Sequence, residues 1–259
     1  MELNLKGKTV AITGGSSGIG KDLAYEYLKE GCNVAICARG QEKLDAACEE
    51  FRKEGYEILA KSVDVSDYDA LSRFADDVVE KYGKLDIWYN NAGFYRIKSL
   101  LDYSNEEFKD DVDKLLVADF YGFKIAASHM KKAGGGVIMN ASSFSAVIPR
   151  AGGGLYAACK AGVNMMTQVL AAELACDNIR VIAYTPGMIK TDIRELSPER
   201  YEMLISDIPM RRFGTVNECS KLLMFLTSEH GAYVNGVQVD ITGGKLCVQN
   251  PQYAWNLKK

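Results

Sequence analysis

The sequence predicts a single α/β domain built on a doubly wound parallel sheet, and three observations carry that prediction. Short apolar runs alternate with longer amphipathic stretches along all 259 residues, the order expected of repeated β-α-β units. A glycine-rich turn, Thr13-Gly14-Gly15-Ser16-Ser17-Gly18-Ile19-Gly20, joins the first apolar run to the first amphipathic stretch. The polar motifs collect where apolar runs end, which in such a sheet is the ligand-binding edge. A composition of 47% hydrophobic and 25% charged residues supports a substantial core, and no repeat, low-complexity tract or linker divides residues 1–259.

The first strand is read at Thr9-Val10-Ala11-Ile12 and the first helix from Lys21 to Glu30. Between them the spacing Gly-x-x-x-Gly-x-Gly is looser than the usual dinucleotide fingerprint. Glycine still lets the backbone turn tightly there, and the helix behind it aims unpaired N–H groups and a positive dipole end at a place that suits a phosphate. A second strand, Asn33 to Ala38, ends at Arg39. An acidic residue at this point would bind a ribose 2′-hydroxyl, whereas a guanidinium suits a 2′-phosphate, which favours NADP(H) over NAD(H); the competing reading is a solvated loop arginine.

Helical spacing of Leu44, Ala47, Cys48 and Phe51 marks a helix from Glu42 to Lys53, followed by a strand from Glu57 to Val63. At its end, Asp64 and Val65 stand where a carboxylate could accept from an adenine amino group, with a helix N-cap between Asp64 and Asp67 as the competitor. A helix to Tyr82 and a strand from Asp86 to Tyr89 lead to Asn90-Asn91-Ala92-Gly93. Small residues there permit close approach of a flat ligand, and asparagine side chains can equally tie neighbouring strands together.

A long helix is predicted from Asn105 to Lys132, with Val112, Leu115, Leu116, Phe120, Phe123 and Ile125 as its apolar positions. The strand Val137 to Ala141 runs into Ser142-Ser143, and after Gly152-Gly153-Gly154 a second long helix spans Leu155 to Cys176. The strand Ile179 to Tyr184 closes on Thr185-Pro186-Gly187-Met188-Ile189-Lys190-Thr191. From Asp192 to Arg212 the pattern becomes irregular, so residues 190–213 read as an insertion covering the site. Its apolar residues Ile193, Leu196, Tyr201, Met203, Leu204, Ile205, Ile208 and Met210 suit either a lid over a bulky substrate or packing on the core. A helix from Val216 to Thr227, a strand from Gln238 to Ile241 and a tail from Gly243 to Lys259 complete the chain.

Composition narrows the chemistry. A formal charge of −3 gives no reason to expect nucleic acid or an anionic membrane as partner. No apolar run approaches the roughly 20 residues of a membrane span, and Met1 to Lys6 lacks a signal-peptide core, so the expected location is the cytoplasm. Seven scattered cysteines without a C-x-x-C pair read as free thiols, and His129 and His230, the only two histidines, form no ligand pattern, so no metal is expected. Proton chemistry therefore falls to another group. Tyr156-Ala157-Ala158-Cys159-Lys160 puts a phenol and an ammonium four residues apart on one helix face. A nearby positive charge favours the phenolate, so such a pair can exchange a proton with an alcohol or ketone oxygen.

These motifs together, with Ser143 thirteen residues before Tyr156 and Thr191 after Pro186-Gly187, resemble the classical short-chain dehydrogenase/reductase family over nearly the whole chain. The resemblance implies a Rossmann-type fold and hydride transfer between a nicotinamide cofactor and a secondary alcohol or ketone. Tyr156 would be the acid or base, Ser143 would hydrogen-bond the reacting oxygen, and Lys160 would tune Tyr156 and bind the nicotinamide ribose. Gly14, Ser16, Ser17, Gly18, Ile19 and Gly20 would line the pyrophosphate and adenosine, Arg39 the 2′-phosphate, and Asp64 and Val65 the adenine. Asn91, Ala92 and Gly93 would run along the cofactor, with Pro186, Gly187, Ile189 and Thr191 at its carboxamide end. Asp119 falls where the family usually has asparagine, and a carboxylate there would either reinforce the charge on Lys160 or trap it in an ion pair. Tyr89 replaces a more usual aliphatic residue. A hydroxysteroid is the expected substrate, on a weak likeness in the tail (Pro251-Gln252-Tyr253, Trp255). Sugars or polyols, 3-oxoacyl substrates, and a catalytically silent NADP(H)-binding sensor are the alternatives. The family's habit implies a homo-oligomer, tetramer or dimer, in which the tail could meet a neighbouring subunit.

Overall fold

The computed structural model describes residues 2–191 and 196–257. Alternation in the sequence becomes alternation in space: β1 (Thr9–Thr13), α1 (Gly18–Lys29), β2 (Asn33–Ala38), α2 (Gln41–Lys53), β3 (Leu59–Ser62), α3 (Tyr68–Tyr82) and β4 (Ile87–Asn90) form the first half. The second half holds α4 (Asn105–Val112), α5 (Ala118–Ala133), β5 (Gly136–Ala141), α6 (Gly154–Glu173), β6 (Ile179–Pro186), β7 (Ile189–Lys190), α7 (Pro198–Ile205), β8 (Gly214–Thr215), α8 (Val216–Thr227), β9 (Gln238–Ile241) and a short α9 (Tyr253–Asn256). Seven strands make one parallel sheet in the order β3-β2-β1-β4-β5-β6-β9. The order reverses between β1 and β4, and a ligand crevice opens at such a switch point, at the strands' carboxyl ends.

Both sheet faces are covered. On one, α1 and α8 enclose a core of Val10, Ile12, Leu23, Tyr27, Ile36, Tyr89, Ile182 and Leu223; on the other, α3, α5 and α6 pack over Trp88, Phe74, Phe123, Met130 and Ile138. Tyr89 has a physical reason to be tyrosine. Its hydroxyl lies 2.8 Å from that of Tyr27, which in turn meets Thr227 Oγ1 at 2.6 Å, so three buried hydroxyls satisfy one another between α1, β4 and α8.

Three predicted segments differ in detail. The helix expected over residues 105–132 is interrupted by a π-helical turn, Asp113–Val117, whose wider loop re-phases the residues that follow. Asp119 comes to the buried face while Phe120, expected on the apolar stripe, is half-exposed. The insertion is not wholly irregular: Ser197 Oγ accepts the Arg200 amide and Pro198 occupies the first turn, a start signal that nucleates α7. Of its apolar residues, Ile205 and Ile208 are buried, Leu196, Met203 and Met210 are exposed, and Ile193 lies outside the described residues, as do Asp192, Arg194 and Glu195. Both ends of the insertion are pinned by β7 and β8, which pair in parallel. The tail folds back on its own chain, where Trp255 Nε1 donates to the Pro209 carbonyl at 2.9 Å and the Arg211 guanidinium lies 5.6 Å above its ring.

Candidate active site at the sheet switch point

The turn after β1 is fixed before any ligand is considered. The Gly14 and Gly15 amides donate to the Cys37 carbonyl at the end of β2, at 2.7 and 3.2 Å. Gly14 and Gly18 have φ of +68° and +55°, a region that disfavours side chains, and a Cβ on Gly14 would come within 2.9 Å of the Ala92 Cα. Ser17, the N-cap of α1, makes no side-chain capping bond, and the first turn carries no acidic residue. The helix therefore presents bare N–H donors at the crevice.

Thr13 ties this turn to the next strand: its hydroxyl donates to the Tyr89 carbonyl at 3.1 Å and accepts the Asn91 and Ala92 amides at 2.9 and 3.0 Å. Both asparagines serve the scaffold with their side chains. Asn90 Nδ2 donates to Asn140 Oδ1 at 2.9 Å, and Asn91 Nδ2 donates to the Thr13 carbonyl while its Oδ1 accepts the Tyr184 hydroxyl, each at 2.9 Å. What Asn91-Ala92-Gly93 offers the crevice is thus backbone and small surface. At the far wall, the Gly187 amide donates to the Ile241 carbonyl, and Thr191 lies over Gly18, its Cγ2 3.4 Å from where a Cβ would stand. Pro186, Ile189 and Thr191 are thereby brought to the same edge as the glycine turn.

Arg39 is exposed at the end of β2. Beside it, partial burial opposes the charge on Asp64, but the Ser66 hydroxyl and amide, with Arg39 and Lys114 nearby, hold its carboxyl below the usual range. Asp64 Oδ1 accepts from the Ser66 amide and hydroxyl at 3.0 and 2.7 Å, while the helix cap is Asp67, which accepts the Ala70 amide at 2.9 Å. The helix N-cap expected between Asp64 and Asp67 is thus Asp67.

Ser143 follows β5 in extended backbone, buried, with its Oγ accepting the Ser145 amide at 3.1 Å; the hydroxyl proton remains free to donate. Tyr156 stands in the first turn of α6, half-buried, and Lys160 one turn below is 2% exposed. Lys160 Nζ lies 3.3 Å from Asp119 Oδ2, on the helix across from it, and Asp119 is itself 3% exposed. The two groups form an ion pair. Burial raises the Asp119 carboxyl to about 6, with Lys160 opposing the rise. Both histidines are placed elsewhere: His129 faces Asp76, and His230 Nε2 lies 2.8 Å from the Glu2 carbonyl.

One residue escaped sequence reasoning. The Tyr95 ring stands edge-on to Tyr156, centroids 5.0 Å apart at 88°, a contact between a loop and the first turn of α6 that no spacing rule reveals. Its trace in the sequence is the run Gly152-Gly153-Gly154, against which Tyr95 and its neighbours pack.

Residues 8–202 match the family model described as short chain dehydrogenase. The chain is a classical short-chain dehydrogenase/reductase. It is 36% identical over 247 residues to a 3α-hydroxysteroid dehydrogenase of Mediterraneibacter gnavus, covering 94% of this chain and 98% of that protein. To a 3-oxoacyl-[acyl-carrier-protein] reductase FabG of Staphylococcus aureus it is 34% identical, covering 92% and 97%. Among solved structures, one of a putative short-chain alcohol dehydrogenase from Sinorhizobium meliloti superposes with a TM-score of 0.89 at 31% identity, covering 95% and 99%. Membership makes this short-chain dehydrogenase an NAD(P)-dependent oxidoreductase with a Rossmann-type fold. Among the described residues, no helix is long and apolar enough to cross a membrane.

Proposed function

We propose that this enzyme interconverts a secondary alcohol and its ketone with NADP(H), and that its substrate is a hydroxysteroid. The observation that carries the reading is the Tyr156–Lys160 face of α6, with a buried, ion-paired lysine, standing at the same sheet edge as the bare N-terminus of α1. The residues suit a dinucleotide: glycine at 14 lets the turn close against Ala92, where a Cβ would collide, and the free donors of α1 suit a pyrophosphate. Gly14 to Gly20, with Ser16 and Ser17, would hold that end, Arg39 the 2′-phosphate, Asp64 and Val65 the adenine, Asn91 to Gly93 the length of the cofactor, and Pro186, Gly187, Ile189 and Thr191 the nicotinamide. When bound, the cofactor supplies the hydride chemistry.

The chain's own residues handle the oxygen and its proton. Tyr156 gives its phenolic proton to the ketone oxygen, or removes it from the alcohol. Ser143 donates a hydrogen bond to the same oxygen, using the proton left free by its bond from Ser145. Lys160 places a positive charge one turn from the phenol, stabilising the phenolate that each turnover requires, and Asp119 holds that ammonium in place.

A hydroxysteroid is supported by the Mediterraneibacter gnavus relative and by the exposed apolar residues Val147, Ile148, Leu196, Met203 and Met210 near the carboxyl edge. The FabG relative keeps 3-oxoacyl substrates in contention. Steady-state rates on hydroxysteroids, ketoses and 3-oxoacyl thioesters decide between them. On whichever is turned over, Tyr156→Phe is expected to lose about a hundredfold or more in kcat while retaining NADPH binding; a variant within tenfold of the parent removes Tyr156 from the proton transfer.

A further inference from the structure

The segment Phe94 to Asp102, between β4 and α4, has little secondary structure yet is held firmly. The Lys98 amide donates to the Gly152 carbonyl at 2.8 Å. Arg96 Nη2 reaches Asp111 Oδ1 at 3.2 Å, a carboxylate that is 1% exposed, and Lys98 Nζ pairs with Glu107 Oε2 at 2.5 Å. Both cations of the loop are thereby turned inward onto α4. Facing outward is a set of apolar side chains, Tyr95, Ile97, Leu100 and Leu101 on this loop and Val147 and Ile148 on the turn after Ser143, with Ser99, Asp102 and Arg150 exposed among them.

The loop presses onto the first turn of α6 through three consecutive glycines. A Cβ on Gly152 would stand 3.2 Å from Ile97, one on Gly153 would stand 3.0 Å from the Tyr95 Cζ, and one on Gly154 would stand 2.8 Å from Leu100. Side chains at Gly153 and Gly154 would hold the loop off. With glycine there, Tyr95 settles edge-on against Tyr156 and remains 46% exposed. One edge of the ring meets the phenol proposed to do the chemistry, and the other borders solvent and the apolar rim.

We propose that Tyr95 is a specificity-determining residue, the wall against which the hydrocarbon body of a fused-ring ketone or alcohol lies while its oxygen meets Tyr156. This rests on the assignment of Tyr156 as the reacting phenol. A flat alicyclic skeleton offers a large apolar face to an aromatic ring, and that face would be withdrawn from water on binding. Arg96 and Lys98, the two cations of this loop, are both engaged by carboxylates of α4.

The test is a ratio: kcat/KM for a saturated 3-oxosteroid divided by kcat/KM for cyclohexanone, with NADPH. Tyr95→Ala should lower the ratio about tenfold or more, the scale of a lost aromatic contact together with its buried area. Tyr95→Phe, which keeps the ring, should hold it within about threefold. Gly153→Ala, which displaces the ring without removing it, should lower the ratio in the same direction as Tyr95→Ala. A ratio that survives Tyr95→Ala overturns the proposal, as does a parent enzyme that neither reduces nor binds the steroid. Calorimetric binding of the same steroid in the presence of NADP+ separates the two ideas. Binding lost in Tyr95→Ala but kept in Tyr156→Phe supports the wall even if neither ketone is turned over, and in that case it is the proton-transfer assignment that fails.

Discussion

Asp119 puts a negative charge where the proposed chemistry wants a positive one to dominate. Its carboxylate lies 3.3 Å from Lys160 inside the protein, where Coulomb interactions are less screened than in water. Because burial lifts its carboxyl to about 6, the group is ionised above that pH and neutral below it. Ionised, it offsets part of the positive field that Lys160 projects onto the proposed reaction site. Asp119→Asn keeps the shape and removes the charge. In the alcohol-oxidation direction, the variant's rate should therefore differ from the parent's above about pH 6, and the two profiles should converge below it. Superimposable profiles across pH 5 to 10 would show the carboxylate to be silent. How legible such residues are depends on distance along the chain. Tyr156 and Lys160 share a helix face because four residues separate them, and the resemblance located Ser143 and Asp119. Tyr95 meets Tyr156 across sixty residues and a glycine bed, and no local rule connects them.

At the scale of elements, the buried hydroxyls of Tyr27, Tyr89 and Thr227 couple α1, β4 and α8. Tyr27 bridges the other two, so its loss should cost more than that of either neighbour. Tyr89→Phe is expected to destabilise by about 1 kcal/mol, and Tyr27→Phe, which ends both bonds, by about 2 kcal/mol. Urea midpoints measure the difference, and equal costs would show that the bridge is not shared. Periodicity located α2, α8, β2 and β9 to within a residue or so, and the end of α3 at Tyr82, because each is bounded by clear breaks. It missed α7, whose Ser197-Pro198 start is a recognisable signal attached to only eight residues of mixed polarity. It also missed the π-helical turn at Asp113–Val117: one widened turn leaves the helical pattern intact on either side and alters only which residues face inward.

At the scale of the whole molecule, the sheet converges its motifs on one edge, so ligand binding there should stabilise the entire fold by mass action. With Arg39 exposed beside the crevice, NADPH should raise the melting temperature more than NADH at equal concentration. Arg39→Ala should erase most of that difference; a larger shift with NADH in the parent would remove Arg39 from cofactor choice. The topology was readable because the strands alternate with helices throughout, and parallel connections of this kind are almost always right-handed. The clasp between β7 and β8 was not, since two-residue strands leave no periodic trace.

That small clasp has an architectural consequence. The polypeptide departs from Lys190 and returns at Gly214 through the same narrow doorway, stitched shut by backbone pairing. Between its two sides Ile205 and Ile208 are buried and the Met210 amide donates to the Gly243 carbonyl, while Met203 faces outward. Natural variation can therefore rewrite its outward-facing residues while Tyr156 and the nucleotide cradle keep their positions, and one enzyme framework can be refitted to new molecules without being rebuilt.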